Sequence, residues 1–117
     1  MWLLTPIGFF SIVRKPWDGD GDTLTVRARV REDLDALRER FLPELGDVVE
    51  DPKADYRYRA QAPREAVADA ARRLAASIDY DNFKDEVAAR QGAKRADLYH
   101  DVWSVLYRLQ SERAGRG

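Results

Sequence analysis

The chain has 117 residues, with 20 basic against 21 acidic side chains, a net charge of -1, 44% hydrophobic residues and 35% charged ones. That is the size of one domain able to bury a core without staples, and its balanced charge gives no bulk attraction to nucleic acid or membrane, so either role needs a local patch. Cysteine is absent, which excludes disulfides, thiol catalysis and thiolate metal sites, and the single histidine, His100, excludes any site built on several imidazoles.

The first ten residues are apolar, but they have no basic leader, and Pro6 and Gly8 interrupt them. They do not read as a signal peptide. No apolar run reaches the roughly 20 residues a membrane helix needs. The expectation is a cytoplasmic protein with no membrane partner and no cofactor.

Residues 2–4 form a short apolar run before Thr5-Pro6-Ile7-Gly8, where proline presets φ and glycine relieves the exit of a turn. Residues 9–15, with Phe9, Phe10, Ile12 and Val13, read as a strand. Residues 16–22, with one proline and two glycines, read as a loop. Residues 23–30 then alternate strictly. Leu24, Val26, Ala28 and Val30 take one face, and Thr23, Thr25, Arg27 and Arg29 the other. That pattern predicts a strand with one buried and one polar face.

From Arg31 the period changes. Leu34, Leu37 and Phe41 have helical spacing, acidic residues fill the first turn and basic ones the last, and Pro43 ends the helix. Residues 45–50 read as a loop or short strand. Residues 55–61 alternate again, with Tyr56, Tyr58 and Ala60 opposite Arg57, Arg59 and Gln61. Pro63 suits the start of a helix carrying the stripe Val67, Ala70, Ala71, Leu74 and Ile78. Asp79 or Asp81 is positioned to cap a shorter helix from Asn82 to about residue 90, ended by Gly92. The last helix spans about residues 95–112. Leu98, Val102, Val105 and Leu109, with Tyr99, Trp103 and Leu106, predict it to be the most buried helix, with Trp103 and Tyr99 in the core. Residues 111–117 read as a frayed polar tail.

The order β-β-β-α-β-α-α-α predicts a single α+β domain: an antiparallel sheet of about four strands with helices packed on one face. The opening Met1-Trp2, the stretch Phe9-Phe10-Ser11-Ile12-Val13, and the segments at residues 24–29, 79–84 and 98–103 resemble a group of short, uncharacterised bacterial proteins. The resemblance runs along nearly the whole chain. It implies a compact, complete bacterial protein and assigns no site residues.

Five features are candidates for chemistry, one of them the polar, aromatic cluster at residues 79–84, which suits a pocket lining and, as the blander alternative, a helix connection with aspartate caps. If residues 23–30 and 55–61 are neighbours, Arg27, Arg29, Arg57 and Arg59 project from one sheet face, where guanidiniums suit an anionic ligand or nucleic acid. The bland alternative is a salt-bridged surface, and Tyr56 and Tyr58 are expected on the opposite face. Asp18, Asp20 and Asp22 alternate like part of a calcium loop, but the sixth and twelfth positions hold Thr23 and Arg29 instead of glycine and glutamate. His100 beside Asp97 and Asp101 is a candidate general base with no evident nucleophile. Trp17, in an acidic loop, is expected to be exposed and able to anchor a partner, including a second copy of the chain. The functional expectation is a non-enzymatic binding or interaction module, with a small enzyme built on His100 or a structural homo-oligomer as the alternatives.

Overall fold

In the computed structural model, which describes the backbone of residues 1–116 and the side chains of residues 1–112, five strands make one antiparallel sheet. They are β1 (Trp2–Thr5), β2 (Gly8–Val13), β3 (Thr23–Ala28), β4 (Val49–Glu50) and β5 (Tyr58–Pro63), in the spatial order β1-β2-β3-β5-β4. The helices are α1 (Arg31–Arg40), α2 (Arg64–Ala76), α3 (Phe83–Gln91) and α4 (Ala93–Arg116). The α+β class and the antiparallel sheet are as the periodicity indicates. The fifth strand is β4, two residues pairing Val49 with Arg59 and Glu50 with Tyr58, at the end of the segment 45–50 that reads as a loop or short strand.

The chain divides into two compact units, Met1–Asp79 and Tyr80–Gly117. In the first, the sheet's inner face carries Phe10, Ile12, Val26, Ala28, Ala60 and Ala62. Leu34 and Leu37 of α1 and Val67 and Ala70 of α2 close over it. The stripe expected on α2 stops early: the helix ends at Ala76, and Ile78 lies beyond it, exposed.

A two-residue loop, Pro6 and Ile7, joins β1 to β2. Thr5 Oγ1 donates to the Gly8 carbonyl at 2.7 Å and accepts from the Gly8 N–H at 3.1 Å, so one side chain satisfies both polar groups of the turn's exit. Asp33 serves the fold beyond the helix dipole. Its carboxylate is buried and accepts from the Phe9 N–H at 3.0 Å, tying α1 to β2.

In the second unit, Asn82 caps α3, its side chain accepting from the Asp85 N–H at 2.9 Å. The cap falls there rather than on Asp79 or Asp81 because Asn82 holds the extended backbone that lets a side chain turn back onto the first helical amides. Gly92 turns the chain from α3 into α4 at φ 93 and ψ 165, a conformation open essentially to glycine alone. Phe83 stacks flat on Tyr99 with ring centroids 5.8 Å apart. Ser111 and Glu112 continue α4 as helix; of the tail expected over residues 111–117, the side chains from residue 113 and all of Gly117 lie outside the described residues.

Candidate binding surfaces

The register of β3 decides the outer face of the sheet. Ser11 pairs with Arg27, and Arg27 pairs with Arg59. Val13 pairs with Thr25, and Thr25 with Gln61. Residues directly opposite each other across an antiparallel pair share a face, so Arg27 and Arg59 do stand side by side, two like charges that would repel if left bare.

Each is compensated differently. Arg59 pairs with Asp51 at 3.1 Å, and its neighbour Arg57 with Glu50 at 2.7 Å. The Glu50 hydrogen bond, then the charges of Tyr58 and Glu50, raise the Arg57 pKa above its ordinary value. Among the described residues, Arg27 and Arg29 have no carboxylate partner. Arg27 donates to Ser11 Oγ at 2.7 Å and Arg29 to the Asp55 carbonyl at 2.6 Å. Both guanidiniums stack on the Tyr56 ring, each 4.4 Å from its centroid. Tyr56 was expected on the other face. Because β5 begins only at Tyr58, Tyr56 lies outside the ladder and is free to reach the arginine side, whereas Tyr58 packs against the core.

The centre of the same face is closed. A 3₁₀ turn, Pro16–Asp18, sets the Asp18 carboxylate against the strands. It accepts from the Lys15 N–H at 2.8 Å, Thr23 Oγ1 at 2.7 Å, Thr25 Oγ1 at 2.9 Å and Gln61 Nε2 at 2.7 Å. Trp17 Nε1 donates to Thr25 Oγ1 at 2.9 Å, completing the seal. Burial raises the Asp18 pKa, but those hydrogen bonds outweigh it and hold it down at about 2. Thr25, expected to face water, is thereby 1% exposed. Trp17 itself is 53% exposed, as expected for it, and stands at a shallow cavity of ≈ 340 Å³ with Asp47, Val49 and Arg59.

Of the three aspartates considered for calcium, Asp18 is thus turned inward, while Asp20 and Asp22 are exposed. Among the described residues, no three His, Asp or Glu side chains gather to hold a metal. The signal missed in the sequence was the chemistry of the outward positions: Thr23, Thr25 and Gln61 are uncharged donors where an open face usually carries charge. A row of hydroxyl and amide donors suits a buried carboxylate.

His100 is exposed on α4, its ring stacked on Trp103 at 5.4 Å. It lines a shallow cavity of ≈ 330 Å³ with Asp81, Asn82, Phe83, Lys84, Tyr99 and Trp103. Asp97, the residue placed to orient it, is instead 4.0 Å from Lys84. Among the described residues, His100 has neither a hydrogen-bonded carboxylate nor a hydrogen-bonded hydroxyl nucleophile of the kind a general base serves.

The largest departure is α4. Ala96 and Tyr99 are buried, but Leu98, Trp103, Val105, Leu106, Tyr107 and Leu109 are all exposed, Leu109 by 65%. The apolar face is present as the spacing indicates, yet the helix is not the most buried one, and Trp103 is not core. The 9 residues of α3 cannot shield the 24 of α4. No protein family, curated protein or solved structure matches this chain.

Proposed function

We propose that the protein is a non-enzymatic interaction module whose working surface is the apolar face of α4. The observation that carries this reading is the row of large side chains on that helix, Leu98, Trp103, Val105, Leu106 and Leu109, each more than half exposed. Contiguous exposed apolar surface of this kind marks an interaction site, because leaving it in water costs free energy that a partner recovers. Trp103 and Tyr107 supply the rigid amphipathic rings favoured at such contacts. A photo-crosslinking phenylalanine analogue in place of Leu106, activated in cells expressing the full chain, is expected to give one adduct of defined mass. The same analogue in place of the exposed Lys53 is expected to give none. No adduct at 106, or the same pattern at both positions, overturns the reading.

A second reading is favoured by one specific observation. Among the described residues Arg27 and Arg29 have no carboxylate partner; both stack on the buried Tyr56 ring, which holds them in place, so their charge remains available to a phosphate-bearing ligand. The candidate set of four arginines then narrows to two, because Glu50 and Asp51 already neutralise Arg57 and Arg59. Binding of a short single-stranded oligonucleotide is expected to weaken steeply with salt. Arg29→Gln is expected to lower the affinity by about 3- to 10-fold, and Arg57→Gln to leave it within about twofold. Binding that ignores salt, or that both substitutions weaken equally, removes this reading.

A further inference from the structure

We infer that the partner of α4 is a second copy of the same helix, packed antiparallel. This rests on the interaction reading above and deepens it. The seam Leu98, Val102, Val105, Leu109 has steps of four, three and four residues, the a/d spacing of a coiled coil. That order reads the same from either end. A two-fold axis requires a surface that maps onto itself, and this seam does so when two helices run antiparallel about the Trp103–Ser104 peptide. Leu98 then faces Leu109 of the second copy, and Val102 faces Val105 of the second copy.

The charges that flank the seam choose the same arrangement. Arg95 precedes it by three residues and Glu112 follows by three, so the antiparallel pair places each Arg95 against the Glu112 of the second copy. Asp101 and Arg108 lie one heptad apart on the same edge, and the antiparallel pair brings each beside the other's opposite charge. A parallel pair would set Glu112 on Glu112 and Arg95 on Arg95, like charges at seam positions. Within one chain Arg108 already lies 3.2 Å from Glu112, and Arg95 reaches Tyr99 Oη at 3.4 Å. The pairing extends these contacts across the axis. At about 1.5 Å of rise per residue the apolar seam is only about 17 Å long, so the dimer is a reversible one whose population follows concentration.

Sedimentation equilibrium over a concentration series of the full chain is expected to show monomer and dimer in exchange. Asp101→Arg is expected to weaken dimerisation about tenfold, and Asp101→Arg with Arg108→Asp to restore it. Because the chain contains no cysteine, orientation is read cleanly from single introduced thiols. A mixture of Leu98→Cys and Leu109→Cys proteins is expected to form the mixed disulfide on mild oxidation, while Leu98→Cys alone stays unlinked. A monomer at every concentration overturns the inference, and so does a Leu98→Cys homodisulfide or a charge swap that fails to restore the dimer. If the adduct at position 106 carries the mass of a different protein, the second copy is wrong while the interaction reading stands. If no adduct forms at all, the interaction reading itself is lost.

Discussion

Asp18→Ala is expected to destabilise the first unit by roughly 3–5 kcal/mol. Four donors converge on that carboxylate: one backbone amide, two hydroxyls and one side-chain amide. Truncation leaves Thr25, at 1% exposure, with a hydroxyl proton and no acceptor, and releases the turn that holds Trp17 on the sheet. Hydrogen bonds to an ionised acceptor contribute more than neutral ones, and orphaned buried donors add their own desolvation cost. Asp18→Asn keeps the shape but replaces one acceptor oxygen with a donor, and is expected to cost roughly 2 kcal/mol.

The same carboxylate gives an acid limb to stability. Its folded pKa is held down at about 2, against 3.8 for an ordinary aspartate. A group whose pKa is depressed on folding binds protons more readily when unfolded. Its contribution is therefore complete above about pH 4 and is lost as the pH falls from there toward about 2, a loss of roughly 2 kcal/mol. Native-state amide exchange at Val26, measured at neutral pH and again near pH 3, checks both statements. The gap between the parent and Asp18→Asn should narrow in acid. A gap of the same size at both pH values would show that the charge on Asp18 does not hold the turn.

Gly8→Ala is expected to cost roughly 2–3 kcal/mol, although Gly8 is not among the glycines with positive φ. A Cβ built there would lie 2.7 Å from Asp33 Cγ and 2.8 Å from Asp33 Cβ. Asp33 is 5% exposed and holds the Phe9 N–H, so it cannot swing aside without giving up a buried hydrogen bond. The cost is steric and depends on one neighbour. In an Asp33→Ala background the added penalty should shrink, but not vanish, because the Cβ of residue 33 remains. Urea unfolding of the four proteins of this cycle measures the coupling. Strictly additive losses would mean that the penalty comes from the turn's backbone instead.

Gly8 and Asp18 each answer to a residue far along the chain. The turn at residues 5–8 was legible, since Thr-Pro-x-Gly is a local signal, but the reason for glycine was not. Asp33 lies 24 residues beyond Phe9, the neighbour of Gly8, and no local pattern contains it. The loop at residues 16–22 was equally legible as a loop, yet its Asp-Gly composition fits both a solvated hairpin and an inward-turned carboxylate. Only the fold brings Gln61 to Asp18.

Local periodicity, by itself, determined the α+β class, the inward set Leu24, Val26 and Ala28, the helical stripes of α1 and α2, and the presence of an apolar face on α4; Val30, inward by the same alternation, is instead the exposed N-cap of α1, because β3 ends at Ala28. Those follow because side-chain direction repeats every 2 residues in a strand and about every 3.6 in a helix, whatever lies beyond. Tertiary structure alone decided what met each face. Register set Arg27 beside Arg59, strand length freed Tyr56 to reach Arg27 and Arg29, a 3₁₀ turn covered Thr25, and the shortness of α3 left much of the apolar face of α4 beyond its cover. Periodicity states that a face is apolar or polar. Whether it is buried, paired or open depends on contacts between segments far apart in the chain, which no window of sequence contains.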